Sequence, residues 1–167
     1  MLATGTDTMW CGRDLGYRGG RRTGLALTDE AHLGVLRALL GTPRVAKATS
    51  TESAAERTAL QIWKIIRHLP QPPFLWNVFP FHPHEPNQPM TNRCHTVAEA
   101  RLAEDILATL LNWFAPERVV ALGQDAYKAL LRLGYAPTAI RHPSYGGQAD
   151  FVLGIRTLYS LPPNATS

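Results

Sequence analysis

Phe74 to Phe79 leaves few folds open. The run is apolar at every position except Asn77. It lacks the in–out alternation of a strand with one wet face, so as a strand it must be covered on both sides. Thr8 to Cys11, Arg118 to Leu122 and Thr138 to Arg141 are further short runs of strand character. Helical patterns separate them. A chain that alternates buried strands with helices builds a parallel sheet between helical layers.

The first run ends at Gly12, and Gly12 to Gly24 reads as a glycine-rich loop. Thr28-Asp29-Glu30 opens a helix with Leu33, Leu36 and Leu40 on one face, stopped by Gly41 and Pro43. Thr51 or Ser53 is the expected cap of the next helix, along which Leu60, Trp63, Ile66 and Leu69 keep helical spacing. Pro80 to Cys94 is a long proline-rich loop, a length more often functional than not. Thr96 with Glu99 forms a capping-box pattern, and Leu102, Ile106, Leu110 and Trp113 form the expected core face behind it. A helix from Gly123 to Leu133 and another from about Ala149 to Leu161 complete the pattern. The expected architecture is a three-layer α/β/α domain over residues 1–167, with about four parallel strands and frayed last residues.

Composition narrows the function classes. No apolar run nears the ~20 residues of a membrane span. Met1 to Thr8 is small and polar, unlike a signal peptide. Two cysteines, Cys11 and Cys94, read as small buried residues of a reducing, cytosolic compartment. They are too few for an iron–sulfur cluster. The Asn164-Ala165-Thr166 sequon has no other sign of secretion beside it. Net charge is +4, and only three of the 17 basic side chains are lysine. Arg13, Arg18, Arg21 and Arg22 crowd the glycine-rich loop, where guanidinium forks suit phosphate. An anionic partner such as DNA fits this better than a membrane surface, since no basic amphipathic helix accompanies the arginines.

Three blocks then align in order with a known family. Gly12-Arg13-Asp14-Leu15-Gly16-Tyr17 resembles a strand-ending Gly-x-Asp-Pro-Tyr or Gly-Glu-x-Pro-Gly motif. Trp76-Asn77-Val78 resembles a block in which an Asn ends a strand, and His142-Pro143-Ser144 matches a His-Pro-Ser motif. Val120-Ala121-Leu122-Gly123 with Ala126 resembles the segment that precedes the last motif. Together they resemble the uracil-DNA glycosylase superfamily over nearly the whole chain, in the form of a bacterial member acting as a monomer on uracil-containing DNA. Arg13 and Leu15 depart from both versions of the first motif.

The resemblance assigns roles that the chemistry makes sense of. The target nucleotide must leave the duplex before its base can be cut away. One amide meets the N3–H and O4 of uracil together and mismatches cytosine at both, a role that falls to Asn77. His142 is the donor to the developing anion on the departing base. Asp14 orients the attacking water and faces the cationic sugar. Leu27 stands where relatives carry a stacking phenylalanine, with Tyr17, Phe79 and Phe81 as alternative partners for the base. Tyr17, or Gly16 with its neighbours, forms the wall against the methyl group of thymine. Ser144 grips a phosphate, Tyr145 or Gln148 wedges the duplex, and Arg141 contacts the backbone or the opposite strand, while Arg18 and Arg21 of the basic loop are further DNA-binding candidates. The expected reaction is hydrolysis without cofactor or metal, and no lysine lies in the blocks for lyase chemistry.

Two rival readings follow from other features. His82 and His84, with Glu85 and with His95 and Cys94 as further candidates, read as zinc ligands of a metal-dependent hydrolase. The irregular first motif also suits a module that binds lesions or abasic sites without turnover.

Overall fold

The computed structural model describes residues 5–162. The expected frayed C-terminus and the Asn164 sequon lie outside the described residues.

Four parallel strands form one sheet in the order β2-β1-β3-β4. Strand β1 is Thr8–Gly12, β2 is Phe74–Asn77, β3 is Arg118–Leu122 and β4 is Thr138–Ile140. Helices α1 (Gly20–Thr23), α2 (Leu33–Leu40) and α3 (Arg57–Ile66) lie between β1 and β2. Helix α4 (Val97–Phe114) joins β2 to β3, α5 (Gln124–Arg132) joins β3 to β4, and α6 (Gln148–Tyr159) follows.

Strand pleating explains the layers. Trp10, Leu75, Val120, Leu122 and Ile140 point to one face, where they meet Ile62, Trp63 and Ile66 of α3 and Phe151 and Ile155 of α6. Met9, Cys11, Val119 and Ala121 point to the other, against Leu107 and Leu111 of α4 and Ala126 and Leu130 of α5. The central strands β1 and β3 are thus covered on both sides, as an α/β fold requires, while β2 is partly covered and edge strand β4 leaves Thr138 and Ala139 exposed. The described helices include none long and apolar enough to cross a membrane.

Four local expectations need correction. Helix α3 begins at Arg57, and neither Thr51 nor Ser53 caps it. The segment before it is held extended instead: Arg22 donates to Thr49, Thr51 and the Glu52 carbonyl, and Ala54 N–H donates to Glu30. Strand β2 stops at Asn77 rather than Phe79, although Val78 and Phe79 still donate to Gly12 and Arg13 carbonyls at 2.9 Å. Cys11 is buried, but Cys94 is exposed in the loop before α4. On α4 the core face is Ala103, Leu107 and Leu111, while Leu102, Ile106 and Trp113 are exposed.

The capping box at α4 forms as expected. Thr96 accepts from Glu99 N–H at 3.2 Å, and Glu99 accepts from Thr96 N–H at 2.7 Å. Arg93 reinforces it with two contacts to the Glu99 carboxylate, at 2.8 and 2.6 Å. Thr96→Ala is therefore expected to cost about 1 kcal/mol in chemical denaturation. An unchanged midpoint would mean that the surrounding loop, not the cap, holds this helix end.

Candidate active site

The site forms where the sheet order reverses. From β1 the chain goes outward to β2 on one side and to β3 on the other, so the C-terminal ends of β1 and β3 flank a crevice. Gly12 is the last residue of β1, and Gly123 directly follows β3. Gly12 pairs with Asn77 across the β1–β2 register, and a Cβ on it would lie 2.6 Å from Asn77 Oδ1. A Cβ on Gly123 would lie 3.2 Å from His142 Cβ. The missing side chains let Asn77 lean in from β2 and His142 from beyond β4. Adjacent strands are ~4.8 Å apart, so the two groups overhang neighbouring strand ends.

Asn77 is 1% exposed, and neither Oδ1 nor Nδ2 has a hydrogen-bond partner among the described residues. Each unmet buried group costs roughly 1–3 kcal/mol. A bare amide that carries both an acceptor and a donor is therefore matched to a ligand edge that offers the complement. Leu27 presses on the same spot, its Cδ2 lying 2.9 Å from the position of a Gly12 Cβ. Its backbone is left-handed, with φ 54°. Leucine pays of order 1–2 kcal/mol to adopt that conformation, and such strain concentrates at ligand sites.

His142 is half-buried, and its Nδ1 accepts from Ser144 N–H at 3.2 Å. That bond fixes the neutral tautomer with the proton on Nε2. Burial lowers the imidazole pKa to about 4, with Arg13 and Arg141 adding to the effect and Asp14 opposing it. At neutral pH the ring is an uncharged donor. Gly147 shapes the loop as well, since a Cβ there would collide with the His142 carbonyl.

Asp14 lies above β1. Arg13 Nε meets its Oδ2 at 2.8 Å and His95 Nδ1 lies 3.3 Å from the same oxygen. Arg13 also reaches Asp125 at 3.3 Å, so this arginine is spent on carboxylates rather than held for phosphate. Arg22 is likewise committed. It pairs with buried Glu30 at 2.7 Å, and bonds from Thr49, Arg22 and Ala54 outweigh burial to hold that carboxyl at about 2. Of the four clustered arginines, Arg18 and Arg21 remain exposed at the rim. Arg18 lies over the Tyr17 ring, 5.5 Å from its centroid. Tyr17 itself is half-buried, its N–H donating to Asn92 at 2.9 Å.

The remaining predicted residues also lie around this edge. Tyr145 is 98% exposed beside His142 and has a left-handed φ of 52°. Arg141 is exposed and donates to the Tyr145 carbonyl at 3.4 Å, and exposed Gln148 opens α6. Ser144 Oγ lies 3.2 Å from Thr58 Oγ1 on α3. Of the alternative stacking partners, Phe79 is buried against His95, and Phe81 is exposed at the start of the 80–94 loop. Gly16 lies against the Glu56 carboxylate. Glu56 and Thr58 also lie at this site without having been singled out in the sequence, and His95 was read there only as a candidate zinc ligand. His95 comes from the loop before α4, whereas Glu56 and Thr58 both come from the start of α3, and none of the three belongs to a motif.

The zinc-like histidines do not converge. His82 and His84 stack on each other at 5.5 Å, and His82 Nε2 bonds the Thr91 carbonyl at 2.9 Å. No cluster of three or more potential ligands that could hold a metal ion occurs among the described residues. Comparison with models of known protein families and with curated proteins returns no match for this chain.

Proposed function

We propose that the protein is a monofunctional DNA glycosylase that releases uracil by hydrolysis and leaves an abasic site. The observation that carries this reading is the buried, partnerless Asn77 amide overhanging the same crevice as a neutral histidine. The amide oxygen accepts the N3–H of a flipped uracil and the amide nitrogen donates to O4. Cytosine offers the reverse pattern and leaves both groups unmet. Leu27 packs on the base, with Tyr17 near the crevice as the wall against thymine.

As the glycosidic bond breaks, negative charge gathers on O2 of the base. His142 Nε2–H meets it, and a neutral donor does so without forming a cation next to Arg13 and Arg141. Asp14 faces the positive sugar. Tyr145 fills the gap left in the stack, paying the strain of its backbone for that position. Ser144, Arg141, Arg18 and Arg21 track the phosphates around it. The protein works as a monomer in the cytosol on uracil-containing DNA.

The test is release of uracil from an oligonucleotide with a single labelled uracil, in the presence of chelator and beside a thymine control. Alkali-sensitive breakage at uracil alone supports the reading. Tight binding without release would make the chain a lesion-binding module, and loss of release with chelator would return the histidine loop to consideration.

A further inference from the structure

Glu56 is the last residue before α3, and nothing in its sequence context marks it. Its N–H donates to Asp29 Oδ2 at 2.6 Å, and Asp29 is fully buried and tied to His32 Nδ1 at 2.6 Å. That anchor sends the Glu56 side chain beneath the loop of the first motif. There it fills the space left by two glycines: a Cβ on Gly16 would lie 2.8 Å from Oε2, and one on Gly19 would overlap it. Two residues further along, Thr58 touches Ser144 at 3.2 Å, so the same segment abuts the histidine loop. The carboxylate therefore packs against the loop that bears Asp14, and the segment that carries it reaches the loop that bears His142 through Thr58. Its oxygens make no ion pair or hydrogen bond among the described residues.

The contrast with Asp14 is informative. Asp14 Oδ2 is met by the Arg13 guanidinium at 2.8 Å, and that cation balances its charge. Glu56 has no cation to balance it and faces two further acids, Asp29 and Asp14. An unpaired carboxylate in such a place stabilises whatever positive charge or proton arrives there.

We propose that Glu56 is the general base of this site and takes a proton from the water that attacks the sugar. The proposal rests on the glycosylase reading. The water oxygen bonds to C1′ as the bond from C1′ to N1 breaks. The electron pair of that bond leaves with uracil, whose O2 is held by His142. The water's proton passes to Glu56, which later returns it to solvent. Asp14, balanced by Arg13, orients the water and faces the sugar cation. Burial, followed by the charges of Asp29 and Asp14, raises the Glu56 pKa above its ordinary 4.5. A base is more effective as its pKa approaches the working pH.

Single-turnover release from uracil-containing DNA across pH tests this. The wild type should lose rate on the acid side with a midpoint above 4.5, higher than the value of about 4 at which His142 titrates. Glu56→Gln should be about 100-fold slower at neutral pH, the low end for a general base, and should lose the upper limb. DNA affinity by fluorescence anisotropy and the melting temperature should stay close to wild type. A structural role would lower the melting temperature and leave the limb in place. If Glu56→Gln does not fold, Glu56→Asp carries the test: a slower rate with a displaced acid limb supports the proposal, and a wild-type profile overturns it. A wild type that releases uracil beside an equally active Glu56→Gln overturns the role of Glu56 alone. No release by the wild type overturns the glycosylase reading, and this inference falls with it.

Discussion

Replacing His142 with alanine is expected to cut uracil release by about 10²–10³-fold, the usual cost of losing one preorganised donor. Affinity for uracil-containing DNA should change little, because the proposed DNA grip comes from Ser144, Arg141, Arg18, Arg21 and the exposed Tyr145. The loss should sit in kcat or the single-turnover rate, since O2 gains its charge only in the transition state. If binding collapses along with rate, His142 supports the loop instead of the reaction. The same variant has a second readout in stability. An unfolded chain protonates this histidine near 6.5, whereas the folded chain holds it neutral down to about 4. Between those values the unfolded state binds more protons, so the native protein loses stability as the pH falls. His142→Ala should flatten that part of the stability curve. An unchanged slope would mean that other groups set it.

Asn77→Asp is expected to lower uracil release by about a hundredfold, the upper range for one unmet buried polar group. The shape of the side chain is kept, and one oxygen still accepts the N3–H. The other faces O4 of the base, oxygen against oxygen, where the amide nitrogen donated. Selectivity should fall too, because the new side chain no longer favours the uracil edge over that of cytosine. Release from paired uracil and cytosine substrates checks both effects. An unchanged uracil rate would take Asn77 out of the pocket and leave its two partnerless atoms without a function.

Much of this was legible because strands and their ends leave strong marks. Unbroken apolar runs mean two-sided burial, and a polar residue closing such a run has nowhere to point except the sheet edge. Asn77 and His142 were readable on that ground. Glu56 was not: a lone acid before a helix looks like any other, and its setting depends on Gly16 and Gly19, about forty residues earlier. The arginine cluster was only half readable. Whether a guanidinium faces solvent or a buried carboxylate is decided by the turn of α1, which leaves Arg21 outside and turns Arg22 toward Glu30. Helix α4 failed for a different reason. It carries two parallel apolar stripes one residue apart, Leu102-Ile106-Leu110 and Ala103-Leu107-Leu111, and both fit a core face. The second lies against the sheet, and small Ala103 suits close approach of the helix there.

The glycines at the C-terminal ends of the two central strands, Gly12 in β1 and Gly123 just after β3, bear on how this protein can change over time. At most positions a sheet tolerates substitution if volume is kept, but at Gly12 and Gly123 even one methyl group meets a side chain of the crevice. Drift at these two positions is closed off by the same contacts that bring Asn77 and His142 inward. Residue 27 is freer. It sits on a loop, in a backbone conformation that asparagine or glycine adopts more readily than leucine. Under the proposed glycosylase reading, selection for a different base has an open route through the loop that carries residue 27 and a blocked one through the two glycines.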